Sequence, residues 1–76
     1  MPKLKKLSGR ELIKILCNEF GFETKRQKGS HILLVKVSQF GKLGCVVPLH
    51  RELKIGTLKG ILGQARISEE DFLQYQ

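Results

Sequence analysis

Acidic side chains are scarce: seven Asp and Glu stand against fourteen Lys and Arg, a net charge of +7 with both histidines neutral. Such an imbalance favours polyanions as partners. Cysteine is nearly absent. Cys17 and Cys45 are the only two; they lack the C-x-x-C spacing of zinc or redox motifs, and a lone disulfide is rare in a reducing compartment, so both read as buried thiols. No apolar run approaches the roughly 18 residues that a membrane helix needs. The basic start, Lys3-Leu4-Lys5-Lys6-Leu7, is followed by neither an apolar h-region nor a small-residue cleavage site, so it does not read as a secretory signal. The expectation is a cytoplasmic protein with no membrane partner. Seventy-six residues leave room for one domain, 1–76, and none for a second. At that size a single core supplies only a few kcal/mol, and a partner can add to it.

What is present is organised. Residues 1–28 carry eight basic and three acidic side chains, residues 29–56 four and one, and residues 57–76 two and three, so the positive field belongs to the first two thirds. Ser8 with Glu11 three residues on forms a capping box, flanked by Leu7 and Leu12 as a hydrophobic staple. Leu12, Ile15, Leu16 and Phe20 then line one helical face, and Gly21 stops the helix, which predicts a helix over 9–20. Residues 22–28 alternate large or β-branched residues with polar ones and end at Gly29, a polar strand and a turn. Residues 30–37, rich in β-branched side chains, make a second strand, closed by a Ser-Gln-Phe-Gly-Lys-Leu-Gly loop. Residues 45–49 make a third, with Pro48 at an edge or at the strand end because it cannot donate to a ladder. Gly56 or Thr57 opens a further helix carrying Leu58, Ile61, Leu62 and Ala65 at helical spacing; Gly60 and Gly63 interrupt it, so it relies on packing. Ser68, with Asp71 reaching back and Ile67 stapling Phe72, starts a short last helix. The order is α-β-β-β-α with a short extra C-terminal helix. It predicts an α+β fold, a three-stranded antiparallel sheet with helices on one face and the other face free to bind.

The candidates for chemistry are few. His31 follows Lys25-Arg26-Gln27-Lys28-Gly29-Ser30, which sets an imidazole beside three cations and a glycine. Scission of RNA by transesterification needs a base for the 2′-hydroxyl proton and positive charge for the pentacoordinate phosphate, and this cluster offers both. Gly29 has no Cβ and lets a phosphate approach the backbone. The competing reading is bland: His31 shares a strand face with Leu33, Val35 and Val37, so it is a partly buried histidine beside a solvated basic edge. His50 is the secondary candidate for proton transfer, set against a turn histidine that ends the third strand. A zinc site built from Cys17, Cys45, His31 and His50 lacks paired ligand spacing, so no metal is expected. Ser30 and His31 are strand neighbours whose side chains point apart, which argues against a nucleophile–base pair.

Gly29-Ser30-His31, then Val47-Pro48-x-His50, Leu53-Lys54-x-Gly56-Thr57-Leu58 and Ile61-Leu62-x-Gln64-Ala65, resemble the HicA toxin family of type II toxin-antitoxin systems. The likeness runs from Ser8 to about Ser68. It implies a double-stranded-RNA-binding-domain-like fold and ribosome-independent cleavage of mRNA without metal or cofactor. His31 would be the catalytic acid/base, with Gly29 and Ser30 completing its motif. It also implies neutralisation by a HicB-like antitoxin, with DNA met only through that antitoxin. Lys25, Arg26 and Lys28 would hold the RNA backbone. The chain departs from the family where an aromatic often follows the histidine motif (here Ile32-Leu33-Leu34) and where a glycine often precedes the last helix (here Arg66). A reading from a different class stands beside this one: a non-catalytic RNA-binding module using the same basic surface.

Overall fold

Ser8 opens the first helix as its spacing predicts: its hydroxyl accepts from the Glu11 N–H at 3.0 Å, and the Glu11 carboxylate accepts from the Ser8 N–H at 2.9 Å. These bonds to Ser8 hold the Glu11 carboxyl below its ordinary value. The computed structural model describes residues 3–76, so the first two residues of the expected domain lie outside the described residues. Helix α1 (Gly9–Glu19) is followed by β1 (Glu23–Lys28), β2 (His31–Ser38), β3 (Gly41–Pro48), α2 (Ile55–Gln64) and α3 (Glu69–Leu73). The three strands form one antiparallel sheet in the order β1-β2-β3. This is the expected α-β-β-β-α order with its short final helix. Among the described residues no helix is long and apolar enough to cross a membrane.

The core lies between the helices and one face of the sheet. Leu12 and Leu16 of α1, Leu34 of β2, Cys45 and Val47 of β3, Leu58, Ile61 and Leu62 of α2, and Phe72 of α3 are all buried in one cluster. α3 docks through aromatic rings: Phe20 stacks on Phe72 at 6.4 Å and meets Tyr75 edge-on at 5.3 Å. Leu53 is also fully buried. The segment Arg51-Glu52-Leu53-Lys54 between β3 and α2, for all its charge, therefore contributes a side chain to the core.

Several expected boundaries move. β3 starts at Gly41 rather than Cys45, because residues 39 and 40 alone turn the chain and Ser38 pairs with Gly41. The Ser38 hydroxyl holds this turn, accepting from the Phe40 N–H at 3.2 Å and donating to the Gly41 carbonyl at 3.0 Å. Phe22 leaves the first strand and buries its ring instead. α2 begins at Ile55, one turn-position earlier than Gly56 or Thr57, after Lys54, which supplies no side-chain cap. Only half of the second capping box forms: Ser68 accepts from the Asp71 N–H at 3.1 Å, and the Asp side chain is one methylene shorter than the Glu that closes such a box. Cys45 is buried as expected, but Cys17 is half-buried.

Arg66 takes a backbone conformation that glycine ordinarily supplies. Its φ is 59°, the left-handed region, and it stands at the end of α2 where Ile67 donates to the Leu62 carbonyl at 2.9 Å and Arg66 itself to Gly63 at 3.2 Å. This is a Schellman motif, which ordinarily takes glycine at the left-handed position. Arg66→Gly should therefore stabilise the fold by roughly 1 kcal/mol and raise Tm by about 4–8 °C, read by thermal melting. Burial pushes the Cys45 thiol up to about 11. At pH 8 only about one part in a thousand of it is thiolate, so iodoacetamide should modify Cys45 in urea-unfolded protein and leave it intact in the native state, as peptide mass mapping will show.

Candidate functional site

The sheet has one covered and one open face, and period-two alternation assigns each side chain to one of them. In the ladder, Leu34 pairs with Thr24 and Cys45 on the covered side. His31 pairs with Lys28 on one side and Pro48 on the other, and Leu33 pairs with Arg26 and Val46; these belong to the open face. His31 does share its face with Leu33, Val35 and Val37, but that face is not the one packed on the core cluster: Val35 is buried there outside the cluster, Leu33 is half-buried, and His31 and Val37 are exposed. The reading of His31 as a partly buried core histidine is overturned: it is exposed.

Its position follows from the turn before it. β1 and β2 are joined by Gly29 and Ser30 alone, with Gly29 at φ 60°. Among the described non-glycine residues only Arg66 has positive φ, so Ser30 keeps an ordinary backbone. Positive then negative φ is the pattern of a type II′ hairpin turn, whose twist suits the strands it joins. Gly29 is thus required by the turn. A Cβ built there meets nothing within 4 Å, so the space in front of it is open as well. The tight turn brings Lys28 and His31 directly opposite, where Cβ atoms lie about 4.5–5.5 Å apart.

The basic residues divide. Arg26 and Lys28 lie on the His31 face. Lys25 does not pair: the register shifts between Thr24 and Arg26, and Lys25 is the extra residue of that bulge. Its ammonium lies 3.6 Å from the Glu23 carboxylate, both exposed, a contact worth little in stability. The open face also carries exposed apolar surface, Val37 at 79% and Val46 at 43%, with Phe40 at 90% on the far hairpin.

Three backbone bonds hold the segment after β3, one to the β1–β2 turn and two to the chain at the start of α1. Leu49 donates to the Ser30 carbonyl at 2.7 Å, Gly9 donates to the His50 carbonyl at 2.9 Å, and Leu53 donates to the Leu7 carbonyl at 2.8 Å. Gly9 is buried, and a Cβ there would collide with the Pro48 carbonyl oxygen. Nothing in the sequence reading singled it out; the signal was a glycine, a poor helix former, in the first turn of a well-capped helix. His50 is exposed at the same end as His31. The two histidines and the two cysteines do not converge, since Cys45 is buried on the covered face. Among the described residues no three His, Cys, Asp or Glu side chains are grouped to hold a metal ion.

Comparison with known proteins bears on this arrangement. The model of the family described as "HicA toxin of bacterial toxin-antitoxin" matches residues 9–67, from the buried Gly9 to the residue after Arg66. No curated protein and no solved structure matches the chain. The matched span contains the whole sheet, both longer helices, and the Gly29-Ser30-His31 turn. On that match the chain belongs to the HicA toxin family of bacterial toxin–antitoxin systems.

Proposed function

We propose that this toxin is an endoribonuclease that cuts mRNA by transesterification, with His31 as the acid/base group. The observation that carries the reading is the exposure of His31 on the open sheet face, directly across the ladder from Lys28. A histidine kept for packing would face Leu34 and the core. One placed among cations on an uncovered face suits chemistry on a phosphodiester. In this reading the 2′-hydroxyl of one nucleotide attacks the adjacent phosphorus as His31 removes its proton, and the products are a 2′,3′-cyclic phosphate and a 5′-hydroxyl. Lys28 meets the charge that builds on the phosphoryl oxygens, and Arg26 holds a neighbouring phosphate. Gly29 and Ser30 keep the hairpin tight enough for this pairing. An RNA-binding module without catalysis would use the same cations but has no need of the imidazole between them.

Membership of the family makes the chain the toxin half of a toxin–antitoxin pair. The partner proposed is a HicB-like antitoxin whose acidic surface covers the open face, taking up Val37, Val46 and the cations around His31 together. Masking the histidine and removing phosphate access are then one event.

Two measurements test the reading. His31→Ala should lose about 10²- to 10⁴-fold in cleavage of a defined RNA while its melting curve is unchanged, because the side chain is exposed. An alanine variant that cuts at the wild-type rate would end the catalytic assignment. Binding to single-stranded RNA, measured with the His31→Ala protein, should weaken with salt at a log–log slope of about −0.7 per phosphate neutralised. Arg26→Ala and Lys28→Ala should each make that slope shallower by about 0.7, and Lys25→Ala, beside Glu23, should change it less. An unchanged slope in all three places the RNA surface elsewhere, around Lys3, Lys5 and Lys6.

A further inference from the structure

We propose that His50 is the second proton-transfer group of this site, the acid that protonates the leaving 5′-oxygen. The proposal rests on the ribonuclease reading above and completes its proton inventory. As the 2′-oxygen–phosphorus bond forms, the 2′-hydroxyl proton passes to a neutral His31. As the phosphorus–5′-oxygen bond breaks, a proton passes from the His50 imidazolium to that oxygen. No other reactant is consumed, and exchange with water resets both rings.

The placement comes from the backbone. The paired ladder of β2 and β3 ends at His31 and Pro48, but the Leu49 N–H donates to the Ser30 carbonyl at 2.7 Å, which carries the pairing one step further. The groups of alternate residues along this strand turn outward, away from β2. The Val46 N–H is taken by the Gln64 side chain at 3.4 Å, Pro48 has no N–H to offer, and the His50 carbonyl accepts from Gly9 at 2.9 Å. That alternation fits a chain still extended at residue 50, two residues beyond the end of β3 at Pro48. Side chains alternate with the same period, so His50 projects on the face of Val46 and Pro48, which is the face of His31. Two residues beyond the partner of His31, it is a diagonal cross-strand neighbour at about 7–8 Å, a gap that a phosphodiester between two imidazoles fills.

The hydrogen bond that holds residue 50 runs through its main chain. The clips at this corner are main-chain bonds, from Leu49 to Ser30 and from Gly9 to His50, and neither uses the His50 ring. The imidazole itself is exposed.

The test uses the purified chain and two oligonucleotides with a single scissile ribonucleotide, one with the natural 5′-oxygen and one with sulfur bridging at that position. A thiolate leaves without being protonated, so the sulfur substrate dispenses with the acid and keeps the need for a base. His50→Ala and the size-conserving His50→Asn should lose about 10²- to 10⁴-fold on the oxygen substrate and recover most of that loss on the sulfur substrate. His31→Ala should be impaired on both. His50 variants that cut the oxygen substrate at the wild-type rate, or that are equally slow on both substrates, would overturn the assignment. A wild-type chain inert on both substrates would remove the ribonuclease reading, and this proposal with it.

Discussion

Everything at this site depends on the register of one strand. β2 pairs with both of its neighbours, and its even and odd residues part company: Leu34 goes into the core while His31 goes to the open face. A slip of one residue in either ladder would reverse every side chain on the slipped strand. Burial of Leu34, Cys45 and Val47 against the helices sets the direction, because exposing those side chains costs about 1.5–3 kcal/mol for each large aliphatic group. The two-residue turns at either end of β2 add a second constraint, since turn length fixes which residues face each other. Core packing therefore aims the histidine without touching it.

The helical layer contributes by holding the end of the sheet. α1 enters so close to β3 that only glycine fits at residue 9, and its N–H is spent on the His50 carbonyl. Leu53 anchors the same segment from below as a fully buried side chain. The loop that leaves the sheet beside the candidate site is thus fixed at Leu49, His50 and Leu53. A small chain has little core to stabilise a mobile site. This one places its charged and titratable groups on short turns and strand ends whose backbone is already committed to hydrogen bonds.

Much of this was legible from residue spacing. The Ser8–Glu11 box predicts α1 because the two bonds are local, and the Lys28-Gly29-Ser30-His31 sequence predicts a turn because few residues accept positive φ. The likeness to the HicA family, carried by four short motifs, agrees with the family match over residues 9–67. What was not legible depends on contacts distant in sequence. The Ser38-Gln39-Phe40-Gly41-Lys42-Leu43-Gly44 stretch, with two glycines, reads as a loop, yet pairing between β2 and β3 makes all of it but residues 39 and 40 strand. Leu53 reads as part of a charged loop, and only the packed core shows that its side chain is buried. Which face of β2 is covered could not be read from β2 itself, so the choice between a packed and an exposed His31 stayed open until the helices were placed. The division of Lys25 from Arg26 and Lys28 follows from a bulge that strand alternation does not predict.

On the proposed function this toxin is an acid–base ribonuclease, in which the attacking nucleophile belongs to the RNA. That chemistry leaves a signature at the cut ends that no binding module produces and that hydrolytic cleavage with a water nucleophile inverts. The decisive measurement is mass spectrometry of the ends produced when the purified protein, free of its antitoxin, cuts a defined RNA. The account predicts a 2′,3′-cyclic phosphate on one fragment and a 5′-hydroxyl on the other. Fragments ending in 3′-hydroxyl and 5′-phosphate, or intact RNA under conditions where the protein binds it, would contradict it.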